Sequence, residues 1–269
     1  MLPPDFIFSQ NNLQAYLDCP RRFYLHFIEH VDWPALESEP VLEQEQLGRL
    51  GDNFHLLVQQ SLSGIPAASL SEGIQNSDLQ RWWQHFQALE LDPAKVKYFV
   101  EETLTVPLAG YRLLAKVDLV LVGTDPLLQI YDWKTSRAEP GRAWLAKRAQ
   151  TFVYPYVVTR CSAALTSGQQ VDAEEVHMTY WYPEHPGLPV TFEYSEAQYT
   201  SDEQKLIQLI GEISSLEGES QFPKTDDLKA CKFCKFRSLC ERGDKAGRAD
   251  DETDVTSEDF SFDIDFESL

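Results

Sequence analysis

Residues 127–135, LLQIYDWKT, carry the pairing with the most chemical content in this sequence. In an extended segment successive side chains alternate between faces, so Asp132 and Lys134 emerge on one side while Tyr131 and Trp133 emerge on the other. A carboxylate and an ammonium then share one surface. The preceding segment, YRLLAKVDLVLV at 111–122, carries Asp118, and a turn over 123–126 joins the two runs as a hairpin that brings Asp118 beside Asp132. Two carboxylates can hold Mg²⁺ or Mn²⁺ through hard oxygen ligands. Such an ion activates water and polarises a phosphoryl oxygen, while a lysine offsets the developing negative charge. The set suits phosphodiester hydrolysis, with Asp118 and Asp132 as metal ligands and Lys134 as the electrostatic group.

An Asp-x-Lys triplet alone is more often a surface ion pair, so the neighbours decide. Gln150 and Tyr154 stand four residues apart on the helical segment that follows, one face of which could position a substrate. Upstream, Glu101 and His55 are further candidates for metal ligation, and imidazole suits Mn²⁺ better than Mg²⁺. Glu102 adjoins Glu101, and strand alternation lets only one of the two face a common site.

A second constellation is Cys231, Cys234 and Cys240, spaced C-x2-C-x5-C, with Cys19 as a distant fourth member. Structural zinc sites more often use two local pairs, whereas a [4Fe-4S] cube takes one thiolate per iron and tolerates an isolated ligand. Spacing leaves both metals open. Either would clip the N-terminal helix to the C-terminal end. Lys224, Lys229, Lys232, Lys235, Arg237 and Arg242 surround these cysteines and read either as a nucleic-acid contact or as a solvated loop. Cys161 lies on an apolar helical stretch and reads as a small core residue.

The elements that must position these groups follow from periodicity. Ser9 is a plausible N-cap for a helix with apolar residues at three-to-four spacing, interrupted at Cys19-Pro20. Residues 32–48 read as an acidic loop, followed by helices from Gly48 to Leu62 and around Leu79 to Leu89. Strands are expected at Tyr98–Leu108, Tyr111–Val122 and Leu127–Thr135, then a helix over 140–165 that Pro155 should kink. Strands at Glu175–Tyr182 and Pro189–Tyr194 and a helix from Ser195 to Leu216 complete an α/β sheet flanked by helices.

The chain of 269 residues is 43% apolar, enough for one large core, which excludes a disordered protein or a small disulfide scaffold. No apolar run reaches membrane-spanning length and the first ten residues lack a basic secretory leader, so a cytoplasmic protein with no membrane partner is expected. Five cysteines in such a chain fit thiolate ligation in a reducing compartment. The net charge of −20 is unfavourable for nucleic acid as a total, but residues 244–269 contribute ten acids against two bases. Between Lys134 and Arg160 there are six bases and one acid, a basic stripe inside an acidic protein. The acidic tail, expected to be disordered, could recruit a protein partner through its FSFDIDF segment.

In this order, FSQNNLQAYLDCPRRFYL, GRLGDNFH, VEETLTV, AKVDLV, IYDWKTS, QTFVY and CKFCKFRSLC resemble the RecB-like branch of the PD-(D/E)XK nuclease superfamily. That branch includes CRISPR-associated exonucleases and the nuclease domains of recombination helicase-nucleases. The resemblance spans about residues 6–242 and departs from the pattern at Ala115, where the family has glycine, and at Pro155. It implies a restriction-endonuclease-like mixed sheet flanked by helices, with a helical N-terminal insertion at 31–95 and a cluster-binding segment at 223–243. The expected organisation is one nuclease domain over 1–243 and a tail over 244–269. The resemblance further implies a Mg²⁺- or Mn²⁺-dependent exonuclease acting on DNA ends or single strands in repair, recombination or CRISPR adaptation. It assigns a [4Fe-4S] cluster to Cys19, Cys231, Cys234 and Cys240. The alternative is a non-catalytic nucleic-acid-binding or partner-recruiting protein with an iron-sulfur or zinc site. That alternative predicts a broken acidic set, whereas Asp118, Asp132 and Lys134 are all present.

Overall fold

The computed structural model describes residues 2–31, 39–89, 91, 96–136, 141–232 and 234–243, with the backbone alone at 39–45. Pro140, where the helix was expected to begin, Arg137 of the basic stripe and the tail over 244–269 lie outside the described residues.

The chain begins with a short strand β1 (Ile7–Ser9) that runs directly into α1 (Gln10–Asp18) and α2 (Pro20–Phe23). Ser9 caps α1 through a reciprocal bond with Asn12, and the helix stops at Cys19 because Pro20 cannot continue it. A helical layer follows: α3 (Glu39–Leu62), α4 (Ala67–Glu72) and α5 (Ser77–Gln87). Helix α3 starts nine residues before the expected Gly48, across a stretch read from sequence as a loop. Pro40 falls in its first turn, where a missing N–H costs no hydrogen bond. The sheet is built from β2 (Lys97–Leu108), β3 (Tyr111–Val122), β4 (Leu128–Trp133), β5 (Val176–Trp181) and β6 (Val190–Glu193) together with β1. Helices α6 (Arg142–Leu145) and α7 (Ala149–Leu165) connect β4 to β5, and α8 (Glu196–Ser215) follows β6. The six-stranded sheet is mixed: β1 runs parallel to β3 and β5 parallel to β4, while the other pairs are antiparallel.

The fork in this sheet decides where chemistry can happen. Strand β2 pairs along one edge of β3 on both sides of a missing rung at Glu101 and Asp118, whereas the other edge is divided between β1, which takes residues 112–114, and β4, which takes 119–122. Residues 115–118 face the gap between them. The same region reverses the two faces of the sheet. Leu113, Ala115, Val117 and Val120 belong to the core under α7, whereas Leu119 and Leu121 belong to a second core under α3 and α5. On β2, Leu104, Val106 and Leu108 face the first core, and Tyr98 and Val100 pack against the second. Alternation therefore changes phase at Glu101 and Asp118. Glu101 adopts φ +52°, a left-handed conformation uncommon outside glycine and worth about 1–3 kcal/mol of strain.

Helix α7 continues through Pro155 as one helix over Ala149–Leu165. Pro155 is buried, and the packing of α7 against α1, the sheet and α8 outweighs the one backbone bond that proline removes. Among the described residues no helix is long and apolar enough to cross a membrane.

Candidate active site

The peptide at Trp133 organises the site. Its N–H donates to Asp118 Oδ2 at 2.7 Å, and its carbonyl lies 3.0 Å from His55 Nε2. The β3–β4 register ends at Leu119 opposite Tyr131, so the next rung would set Asp118 opposite Asp132. Instead the strands part there, and the Asp118 carboxylate occupies the place of a backbone acceptor. His55 comes from the middle of α3, anchored by its neighbour Phe54, which packs between Trp82 and Trp181.

His55 Nδ1 stands 3.4 Å from Asp118 Oδ1. When Nε2–H donates to the Trp133 carbonyl, Nδ1 carries a lone pair, and the facing atoms are both acceptors. Such an arrangement calls for a positive charge between them, either a proton on the ring or a cation. Glu101 joins the pair: one ligand atom each from His55, Glu101 and Asp118 lie within 4.8 Å of one another. The donor set of one imidazole nitrogen and two carboxylate oxygens fits a hard or borderline divalent cation. Burial works to raise the Asp118 carboxyl. It is outweighed by attraction to and a hydrogen bond from His55, the Trp133 N–H and the charge of Lys134, so the group titrates below the ordinary carboxylate range. Of the adjacent glutamates, the left-handed turn at 101 brings Glu101 into this group; Glu102 is not in it.

Asp132 is not in that three-residue group. Its side chain faces the α7 side of the sheet, where Lys134 Nζ contacts Oδ2 at 2.6 Å and both residues are almost wholly buried, at 1% and 3% exposure. Lys134 Nζ also donates to Gln150 Oε1 at 2.8 Å, and Gln150 Nε2 lies 3.3 Å from both Asp132 Oδ1 and the Tyr154 hydroxyl. The four residues form one polar network on the floor of the fork. Gln150 and Tyr154 meet it because they are one turn apart on α7.

Sequence reasoning missed two members. Gln10, the first residue of α1, donates to the Tyr154 hydroxyl at 3.0 Å, and Gln14, one turn on, accepts from the Ala149 N–H at 2.8 Å, capping α7. Both lie in the segment FSQNNLQ and sit at i and i+4 behind a capped start, so one turn of helix puts them on one face.

The far end of α1 leads to the second constellation. Cys19, Cys231, Cys234 and Cys240 line one cavity together with Arg22, Lys224, Phe236, Arg237 and Arg242. The N-terminal helices are tied to the C-terminal segment by Arg21, whose N–H donates to the Pro223 carbonyl at 3.1 Å and whose Nε donates to the Phe222 carbonyl at 2.8 Å. Burial pushes the Cys231, Cys234 and Cys240 thiols up, and neighbouring cysteines add to this by mutual repulsion. Four clustered thiols whose ionised forms repel one another fit a cationic metal or cluster, which would favour the thiolates. Cys161 stands on α7 against β2, outside this cavity.

No curated protein matches the chain. Among solved structures it is similar to the crystal structure of SSO0001, at 14% identity and a TM-score of 0.41 over 89% of this chain and 88% of that one. It is also similar to a protein from Eubacterium rectale provisionally named an exonuclease, at 10% identity and a TM-score of 0.47 over 77% and 80% of the two chains. The family described as the PD-(D/E)XK nuclease superfamily matches residues 7–241, a span that takes in the forked sheet, the acidic group and the cysteine cavity, and the chain belongs to that superfamily.

Proposed function

We propose that this nuclease is a Mg²⁺- or Mn²⁺-dependent deoxyribonuclease that works exonucleolytically on DNA ends or single strands, in repair, recombination or CRISPR adaptation. The carrying observation is the convergence of His55, Glu101 and Asp118 ligand atoms within 4.8 Å beside the buried Asp132–Lys134 pair. These three residues would hold the ion, with Asp132 completing the acidic set from the adjoining strand. The ion supplies an activated water and a counter-charge for the phosphoryl oxygen. Lys134, steered by Gln150 and Asp132, offers an ammonium toward the developing charge, and Tyr154 with Gln10 fixes the Gln150 amide. The buried Trp133 peptide holds His55 and Asp118 in register with each other.

The preference for ends and single strands and the RecB-like branch rest on the ordered motifs of the sequence, and the cytoplasmic setting rests on cysteine usage suited to a reducing compartment. The four cysteines would hold a [4Fe-4S] cluster with a structural role, supported by their convergence on one cavity from both ends of the chain.

End-labelled single- and double-stranded DNA incubated with Mg²⁺ or Mn²⁺ tests the activity. Asp118→Asn, which keeps an acceptor for the Trp133 N–H, should cut at least about a hundredfold more slowly. Equal cleavage by both proteins refutes the metal site. Protein purified without oxygen should absorb broadly in the visible range and contain iron and acid-labile sulfide. Cys19→Ser should lose the colour and Cys161→Ser should keep it, whereas a colourless protein with one equivalent of zinc overturns the cluster.

A further inference from the structure

Two lysines stand near the fork, and they differ in what they can reach. Lys134 is 3% exposed and engaged with Asp132 and Gln150. Lys116 is 34% exposed and pairs with Glu101, its Nζ 2.9 Å from Oε2. Lys116 lies opposite Thr103 on β2 and two residues before Asp118 on β3, on the edge of the gap that β1 and β4 leave open. Its partner, at 15% side-chain exposure, is one of the three residues of the candidate cation group.

From this geometry we infer that Lys116 competes with the divalent ion for Glu101 and, once displaced, becomes a phosphate-contacting residue for the DNA substrate. The inference rests on the metal-dependent nuclease reading and deepens it. A +1 charge and a +2 charge a few ångströms apart repel even when screened as in water, so an ion entering beside Glu101 finds Lys116 adverse. A phosphate arriving at the ion reverses the balance, because its negative oxygens attract both cations. The long, partly exposed lysine side chain can swing from the carboxylate to that phosphate without moving the strand. Metal and DNA therefore bind with positive coupling, each favouring the other through one ammonium. In the absence of DNA, Lys116 holds Glu101 in place of the ion and keeps the site poorly loaded.

The test uses the full chain and two binding measurements. Mn²⁺ is titrated calorimetrically into wild type, Lys116→Met and Lys116→Arg without DNA. Binding of a fluorescent single-stranded oligonucleotide is then followed by anisotropy with and without Ca²⁺, whose weaker polarisation slows cleavage. Lys116→Met should bind Mn²⁺ about three- to tenfold more tightly than wild type. Its Ca²⁺-dependent gain in DNA affinity should shrink by a similar factor, while Lys116→Arg follows wild type in both. Mn²⁺ affinity that is unchanged or weaker in Lys116→Met overturns the inference, as does an unaltered Ca²⁺-dependent gain. Asp118→Asn separates the two levels: if it binds Mn²⁺ as wild type does, the metal site itself is refuted and Lys116 falls with it.

Discussion

Removing the Lys134 charge should destabilise this protein more than removing any exposed charge, because its ion pair with Asp132 is almost wholly buried. Lys134→Met keeps the aliphatic stem and deletes the ammonium, leaving the Asp132 carboxylate without its cation at the floor of the fork. Breaking a buried pair from one side costs about 3–5 kcal/mol, since the remaining charge stays desolvated. For a domain of this size that lowers Tm by roughly 6–20 °C. The second variant, Asp132→Asn/Lys134→Met, removes both charges and leaves a neutral side-chain amide at position 132 that can still bond Gln150. It should recover most of the lost stability and none of the nuclease activity. Urea unfolding followed by tryptophan fluorescence reads the stability directly, since Trp133 lies between the two substituted positions. Two outcomes would refute the reasoning: a Lys134→Met protein as stable as wild type, or a double variant no more stable than the single one. The first would show that the pair is not buried as described, and the second that the loss comes from packing and not from an uncompensated carboxylate.

Gln10→Leu removes the donor to the Tyr154 hydroxyl and should cost about 1 kcal/mol of stability. In a DNA cleavage assay it should lower kcat with little change in KM, because Gln10 touches Gln150 only through Tyr154; an unchanged kcat argues against the relay. Asp202, buried on α8, has its carboxyl pushed up by burial despite a hydrogen bond from Gln198 and the charge of Lys205. The folded state then binds the proton more tightly than the unfolded state, so stability falls as pH rises from the unfolded value toward the folded one. Asp202→Asn should therefore melt higher than wild type at pH 7–8, with the difference vanishing near pH 3, and equal melting curves across this range would contradict it. Asp118 has the opposite shift: its folded carboxyl titrates low, so its stabilisation is complete above the unfolded value and is lost only as pH falls through the folded one. Asp118→Asn should therefore cost more stability, relative to wild type, at pH 7 than near pH 3 in urea unfolding, and an equal loss at both would disagree with that placement.

Much of the architecture was legible in the chain. The strands from Tyr98 to Thr135 were visible as alternating or apolar runs broken by Ala109-Gly110 and Gly123–Pro126, and their observed limits differ by a residue or two. Alternation put Asp132 and Lys134 on one face, and helical spacing put Gln150 one turn from Tyr154, because both depend only on local backbone period. Strand β1 escaped notice because three residues carry no period, and its pairing with β3 joins positions a hundred residues apart. The N-terminal half of α3 was misread because acidic residues and Pro40 look like loop until a first turn is known to lie there.

Sequence by itself determined the residue types, the order of the motifs and the faces of individual elements. Only the tertiary structure decided which acids stand together. Alternation would have carried Glu101 and Asp118 smoothly along their strands, but the divided edge of β3 leaves a rung unpaired there. The left-handed turn at Glu101 falls at the missing 101–118 rung between β2 and β3, where the faces of both strands reverse. His55 reaches the group from a separate helical layer, and Lys116 is set against Glu101 by cross-strand register. Those contacts arise from long-range pairing and burial, which local periodicity does not encode.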